Sequence, residues 1–494
     1  MKQITILGGG ISGLSAAWYL AKALPATTRI VLLERSAHLG GWLNSHRSKS
    51  GTLFETGPRS LRPKGYTGLL TLNLASELGL TEELLVATKS SPASKHRLIY
   101  RGDQLHLLPY DLNSLLFKQP EVLRGTTFAF MKEPFVPARR DDADESIHDF
   151  IARRLSPKFA EDIVGAVIHG IYAGDAKNLS LKAVMPFLHE AERKYGSIIL
   201  GGILGMKSDP RVKELREKLQ SENPEMWGKL QDASIYSFKE GIQALSDGIV
   251  RSLKRFPNVI LKTEVDCDRL EFGQVAKVVL KNGESYESDH VISTIPSTRL
   301  APMLPKPIPT LSQTVGADVG VVNLSYAGKG VLPIDGFGYL VSPAEKEAVL
   351  GVVFDSSNIP EQDAGKDITR MTAMIGGHRF KELFGEPESV DPEHLLHVAK
   401  STIARHIGVS KEPLESQVSI QAQCIPQYTV GHRERLGETH AHLKKLYPNQ
   451  LSVTGASYLG VSVNDCVASS YELVNSLVAT EFRGVTGLEK SEED

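Results

Sequence analysis

The stretch from Gln3 to Glu34 limits what this chain can fold into more than any other. A short β-rich run, Ile4 to Leu7, meets Gly8-Gly9-Gly10-Ile11-Ser12-Gly13, and an apolar-periodic helix follows from about Ile11 to Ala23. Arg29 to Glu34 (RIVLLE) is then almost continuously apolar, as a buried parallel strand should be. Strand, GxGxxG turn, helix and second strand form a βαβ unit suited to the phosphates of a dinucleotide. Gly8 permits the tight turn, Gly10 lets a phosphate reach the backbone, and Gly13 lets helix and sheet approach closely. The phosphate then faces free N–H groups at the positive end of the helix. Glu34 ends the second strand, at the spacing of an acid that binds a free ribose 2′-hydroxyl.

The chain is 494 residues long, which implies two or three domains. Its net charge is −2 and it has no long basic run or zinc-finger spacing, so nothing supports nucleic-acid binding. Three cysteines, Cys267, Cys424 and Cys466, are far apart and odd in number, which suits neither a disulfide framework nor a metal site. Met1 and Lys2 run straight into the first strand, so no cleavable leader is expected. No apolar run reaches spanning length; Ile198 to Met206 is glycine-interrupted and reads as a buried helix or a surface-dipping segment.

From about Pro92 to Leu230 the pattern becomes charged and helical, clearest in DESIHDFIARRL and RVKELREKL. Strand signals return at Val259 to Val265, Val275 to Leu280 and His290 to Ser293, with Asn282-Gly283 marking a hairpin between the last two. Val319 to Tyr326, Phe337 to Val341 and Val349 to Phe354 are strand-rich, and Leu451 to Thr454 leads through Gly455 into a helix. No internal repeat is present, and the acidic tail Glu489 to Asp494 is expected to fray.

NAD and FAD share the first fingerprint, so later residues must decide between them. Leu39-Gly40-Gly41-Trp42 places a glycine doublet at the mouth of the same unit. Near the C-terminus, LSVTGA (Leu451 to Ala456) and VSVND (Val461 to Asp465) supply a strand, a glycine and a helix start, with Asn464 or Asp465 placed to cap it. Both pieces resemble signatures of FAD-containing amine-oxidase-type flavoproteins, which close their flavin site with such a C-terminal strand, glycine and helix. By that resemblance, two ends of the chain converging on one cofactor favour FAD.

The stretches GGGISGL, LGGW, GPRSLRP (Gly57 to Pro63), GIYAGD (Gly170 to Asp175), CIPQYTVGH (Cys424 to His432) and GASYLGVSVNDC (Gly455 to Cys466) carry a resemblance. Along essentially its whole length the chain resembles the protoporphyrinogen oxidase family of amine-oxidase-type flavoproteins. The resemblance implies an α/β, Rossmann-type FAD-binding domain of the amine-oxidase/glutathione-reductase-like class. It adds a mixed-sheet substrate domain and a helical membrane-binding domain. Residues 1–90, 231–305 and 421–494 would build the first, 306–420 the second, and 91–230 the third with part of the substrate site.

By similarity, FAD contacts fall at Gly8, Gly9, Gly10, Ile11, Ser12, Gly13, Leu14, Glu34, Arg35 and Trp42. Gly57, Pro58, Arg59, Ser60, Val265, Ala456, Val461, Ser462 and Val463 complete that set. Arg97, in KHRLIY, resembles the arginine that pairs with a tetrapyrrole propionate; alone it would read as a solvated surface arginine. Gly170, Leu340, Val353 and Met374 match positions around the macrocycle, and each alone would read as core. His169 departs from relatives with arginine there, which weakens any charge-based role for that position.

The implied reaction removes six electrons from a porphyrinogen in haem synthesis, two at a time through FAD. Dioxygen is the acceptor and hydrogen peroxide the by-product. Positioning is the protein's main task, and no general base is assigned. The rival readings are a polyamine oxidase or carotenoid desaturase, and a non-catalytic haem-pathway binding module. An amine oxidase should present an aromatic pair, whereas GASYLGVSVND offers only Tyr458. The resemblance also implies peripheral attachment to the mitochondrial inner membrane, a homodimer and a ferrochelatase contact. Leu115 to Phe135, with Leu115, Leu116, Phe117, Phe128, Phe130, Met131 and Phe135 among Lys118, Arg124 and Lys132, reads as an interfacial segment or a packed core face.

Overall fold

The computed structural model describes residues 2–110, 120–205 and 209–489. Its organising element is a parallel sheet with the strand order Leu451–Val453, His290–Ser293, Gln3–Leu7, Arg29–Leu33 and Val259–Lys262. The N-terminal strand is central and covered on both faces, one apolar through Ile4 and Ile6, the other carrying Leu7 and a buried Thr5 that hydrogen-bonds Ser288 at 2.5 Å. Ile4 and Ile6, with Ile30 and Leu32 beside them, pack under helices Ile11–Ala23, Gly65–Glu77, Gln243–Leu253 and Val463–Ala479. Leu7, Val31, Leu33 and Val291 pack on the opposite face against a small antiparallel sheet of Cys267–Phe272, Ala276–Leu280 and Ser285–Ser288.

That small sheet corrects the expected hairpin. Asn282-Gly283 joins Ala276–Leu280 to Ser285–Ser288, and His290–Ser293 belongs to the parallel sheet instead. The polar sequence SYES hid a strand that alternates at the surface, while the apolar HVIS drew attention away from it. Asn282 Oδ1 accepts the Glu284 amide at 3.0 Å, and Gly283 takes φ +87° to complete the turn.

The second large unit is a seven-stranded sheet in the order Glu415–Pro426, Gly316–Ala327, Ile368–Gly377, Val349–Val353, Gly338–Val341, Arg97–Arg101, Gln104–Leu107. Two of its strands, Arg97–Arg101 and Gln104–Leu107, stand inside a stretch whose charge pattern reads as helical. Ile368–Gly377 and Glu415–Pro426 carry no expectation either; the latter is an edge strand whose polar alternation mimics a loop. One face of this sheet, with Leu98, Tyr339, Val352, Ala373 and Val322, packs on Leu395, Ala399 and Ile403 of helix Pro392–Ile407. Asp391 caps that helix through the Glu393 amide at 3.0 Å.

Between Glu121 and Leu230 the chain is mainly short helices, including Ile147–Arg154 and Pro210–Glu222, where helical spacing was expected. Ile198–Leu204 is a helix, but only its Gly201 is buried, so the segment dips along the surface and is not a core helix. Met206 and Lys207, which follow it, lie outside the described residues. No helix among the described residues is long and apolar enough to cross a membrane.

Candidate active site

A cleft of about 380 Å³ opens at the C-terminal ends of the parallel strands. Leu7, Leu33, Thr294 and Ala456 line it at or just past four strand ends, the usual ligand position in a sheet of this kind. Helices Ile11–Ala23 and Val463–Ala479 both begin on its wall, through Ile11, Ser12 and Val463. Two positive helix ends therefore face the same space.

The glycines at the first helix start differ in what surrounds them. A Cβ at Gly13 would lie 2.0 Å from the Gly8 carbonyl oxygen, so close helix–sheet packing excludes any other residue. Gly8 takes φ +101° at the turn. At Gly10 a Cβ would meet nothing nearer than Gly41 Cα at 3.9 Å, so no protein atom demands glycine there. The room beside it opens on the cleft, and a pyrophosphate against bare backbone fits that cradle.

Glu34 completes the arrangement. Its Oε2 accepts the Gly9 amide at 2.7 Å, and Oε1 accepts the amide and hydroxyl of Ser36, both at 2.8 Å. A carboxylate has about four acceptor directions, so one on Oε2 is left for a ribose hydroxyl.

Of the residues expected at a cofactor, Gly8, Gly10, Ile11, Ser12, Glu34, Arg35, Trp42, Pro58, Val265, Ala456, Val461 and Val463 line the cleft. The rest stand behind it. Gly9 gives its amide to Glu34, while Gly13 and Leu14 lie in the helix–sheet contact. Gly57 packs under Trp42, whose carbonyl oxygen would lie 2.3 Å from a Cβ there. Arg59 turns to Asp355 at 3.0 Å, and Ser60 follows it half-buried in the same loop. Ser462 is the N-cap of the last helix, and Asp465 closes a capping box with it. That corrects the expected cap, because Asn464 instead donates to the Arg62 carbonyl at 3.1 Å.

The CIPQYTVGH segment braces the closing loop from behind. Tyr428 Oη donates to the Ala456 carbonyl at 2.5 Å and accepts the Gly460 amide at 2.9 Å. His432 stacks on that ring at 4.0 Å, and burial pushes its pKa down to about 4. The neutral imidazole pairs through Nε2 with the Tyr458 carbonyl at 2.9 Å. Tyr458 itself is buried among Leu7, Val31 and Val453 and does not reach the cleft. Trp42 is the one large aromatic side chain on the wall among the described residues.

The expected substrate residues fall on one face of the seven-stranded sheet, in two adjacent rows. Arg97, Gly338, Val353, Thr372 and Asn323 pair across the strands in the first row. Ile99, Leu340, Gly351, Met374 and Val321 form the second. Helix Gly165–Tyr172 lies on that second row, and Gly170 packs so tightly that a Cβ would lie 2.4 Å from Leu340 Cδ2. Met374 joins a small apolar cluster with Cys424, which lines the cofactor cleft, so the two regions share a wall. His169 stands 5.3 Å from His378, and burial, then the second ring, pushes its pKa down to about 4. It carries no charge toward the face.

Several lining residues escaped the sequence reading. Thr294, Ile295 and Pro296 directly follow a strand that was recognised, and the rule that ligands gather at strand ends would have found them. Gly316 and Gln423 come from the far sheet and carry no local signal. All three cysteines meet on this wall despite their separation in sequence. Burial pushes Cys267 and Cys424 up to about 12 and Cys466 to about 11, so they are neutral thiols that act as apolar lining.

Comparison with known proteins agrees with this geometry. The profile of the flavin containing amine oxidoreductase family matches residues 11–475. The protoporphyrinogen oxidase of Homo sapiens is 36% identical over 487 residues, covering 97% of this chain and 99% of the relative. That of Schizosaccharomyces pombe is 35% identical over 494 residues with the same coverage. A solved structure from Exiguobacterium sp. 255-15 superposes with a TM-score of 0.76 at 24% identity, covering 97% and 99% of the two chains, which shows the fold.

Proposed function

Because the chain belongs to the protoporphyrinogen oxidase family of flavin containing amine oxidoreductases, we propose that it oxidises protoporphyrinogen IX to protoporphyrin IX in haem synthesis. The cofactor is FAD, dioxygen is the final acceptor and hydrogen peroxide leaves as by-product. FAD, when bound, supplies two-electron oxidation at a substrate carbon, so six electrons require three rounds. The chain's own residues bind and orient. The helix starts at Ile11 and Val463 and the Gly10 cradle would hold the pyrophosphate, and Glu34 the ribose. The guanidinium of Arg97 would take a propionate. Leu340, Val353, Met374 and Gly170 would give the macrocycle an apolar floor that excludes water.

One observation carries this reading: the two-row face from Arg97 to Met374 reaches the cofactor wall through Cys424. Aerobic fluorescence of the purified protein tests it. Porphyrin fluorescence should grow from protoporphyrinogen, with no turnover of putrescine or of a carotenoid precursor. Amine turnover would move the chain to the polyamine oxidases, a reading that the burial of Tyr458 disfavours.

A three-part division belongs to the same proposal, with residues 1–90, 231–305 and 421–494 for FAD, 306–420 for substrate and 91–230 for the membrane. It is supported by the parallel sheet, which draws its strands from the three FAD segments; residues 97–107 join the substrate sheet. Membrane attachment is supported by an apolar tip: Phe128, Met131, Phe135, Ile203 and Leu204 are exposed, Phe135 at 87% and Ile203 at 74%. Leu115, Leu116, Phe117 and Lys118 of the same expected segment lie outside the described residues, and Phe130 packs edge-on against Phe159. Buried Glu133 joins the two halves of the tip by accepting the Ile198 and Ile199 amides, at 3.0 and 3.2 Å, while paired with Arg154. The proposed location is the mitochondrial inner membrane, attached peripherally. A homodimer and a contact with ferrochelatase complete the proposal, and cross-linking in detergent tests both.

A further inference from the structure

Arg62 and Arg97 come from distant parts of the chain, yet they lie within reach of each other's charge, and among the described residues no acid is paired with either. Arg62 ends the loop whose Pro58 lines the cofactor cleft and whose Arg59 holds Asp355. Its backbone is pinned by the Asn464 amide on its carbonyl, and Leu61 exchanges both backbone hydrogen bonds with Tyr236 at 2.8 Å each. Arg97 opens a strand fixed in register with Gly338, one pair along from Val353. Asp355, which Arg59 holds, lies two residues past Val353, so the loop with Arg62 crosses the end of the sheet where Arg97 stands.

Both side chains are exposed, and among the described residues neither makes a side-chain hydrogen bond or ion pair. Partial desolvation by the end of the sheet, and then the charge of Arg62, hold the otherwise exposed Arg97 guanidinium below its usual range. The other arginines of the seven-stranded sheet are treated differently. Arg101 is paired with Asp162 and Glu345, and Arg370 with Asp363. Two like charges on anchored backbone beside an apolar face, unpaired among the described residues, make a place for a ligand with two negative charges.

We propose that Arg62 and Arg97 form a two-point clamp for the two propionates on neighbouring pyrrole rings of the substrate, Arg62 holding the second. The proposal rests on the porphyrinogen reading above and names a specificity residue within it. Each guanidinium takes one carboxylate, and the paired anion relieves the repulsion between the arginines. The clamp thus selects substrates by their adjacent acid groups and leaves the oxidisable carbons to the apolar face.

The test compares protoporphyrinogen with its dimethyl ester, using wild type, R62A, R62K, R97A and the double alanine variant. R62A should raise KM for the diacid about tenfold, the loss of one charge-assisted pair, with kcat and FAD content unchanged. KM for the ester should not move, and R62K should recover part of the loss. In the double variant, diacid and ester should bind alike. Equal effects on diacid and ester, or none on either, would overturn the clamp. If wild type oxidises neither substrate, the activity reading fails separately. The clamp is then judged by tryptophan quenching with protoporphyrin IX and its dimethyl ester: a diacid preference lost in R62A supports it, and equal affinities overturn it.

Discussion

Asp355 accepts Arg59 at 3.0 Å and Thr372 Oγ1 at 2.7 Å, so one carboxylate ties the loop under the cofactor to the sheet under the substrate. Thr372 Oγ1 also lies 2.7 Å from Asn323 Oδ1, so its single proton is shared between two acceptors, and Asn323 Nδ2 donates to the Glu55 carbonyl at 3.0 Å. Asp355→Ala strands Arg59 in a nearly buried site, a change that typically costs about 3–5 kcal/mol. Urea unfolding of this variant should show a loss of that order, with weaker FAD retention because Pro58 shares the loop. Unchanged stability would mean the pair does not join the two units.

The glycines give a paired test. Gly13→Ala should prevent folding, because its Cβ collides with the Gly8 carbonyl. Gly10→Ala has room within the protein, so the fold should survive while FAD affinity drops at least tenfold. Circular dichroism together with flavin absorbance separates the outcomes. A Gly10→Ala protein that keeps its flavin contradicts the placement of the pyrophosphate.

How much of this was legible in sequence followed the range of the forces involved. The Gly8 to Gly13 turn, Glu34 and the closing helix are local patterns with a fixed spacing, and they could be read directly. Glu415–Pro426 could not, because an edge strand with one wet face alternates like a loop. Nor could the bond from Arg59 to Asp355 or the meeting of three distant cysteines, since long-range pairing leaves no periodic trace. Ser462 and Asn464 are only two residues apart, and which of them caps the helix depends on the Arg62 carbonyl far away in sequence.

Tyr428 braces the closing loop through its single oxygen, with the Ala456 carbonyl on one side and the Gly460 amide on the other. Tyr428→Phe keeps the ring stacked on His432 but leaves both groups unpaired. Each lost bond is worth about 0.5–1.5 kcal/mol, so FAD should bind roughly tenfold more weakly by fluorescence titration. Equal affinity would assign the loop's order to other contacts.

Glu55 sets a pH dependence. Burial pushes its carboxyl up from 4.5 to about 8, against the pull of the Ile242 amide, Ser45 and Arg59. The folded pKa is above the unfolded one, so the native state holds the extra proton and stability falls as pH rises from about 4.5 to about 8. Glu55→Gln should remove that contribution, on the order of a few kcal/mol, leaving the variant relatively more stable at pH 8 than at pH 5. Parallel stability profiles for the two proteins would show that Glu55 is ionised in the fold.

The exposed tip makes a prediction independent of catalysis. Replacing Phe135 and Ile203 together by Glu should abolish flotation with anionic lipid vesicles, while activity in detergent stays intact. Retained flotation would place the attachment elsewhere on the surface.

The most direct measurement of the central claim is the stoichiometry of aerobic turnover. Purified enzyme with bound FAD, supplied with protoporphyrinogen IX, should release one protoporphyrin IX and three hydrogen peroxide molecules per substrate consumed, with no added acceptor. Peroxide without porphyrin, or no turnover by flavin-loaded protein, would contradict the account.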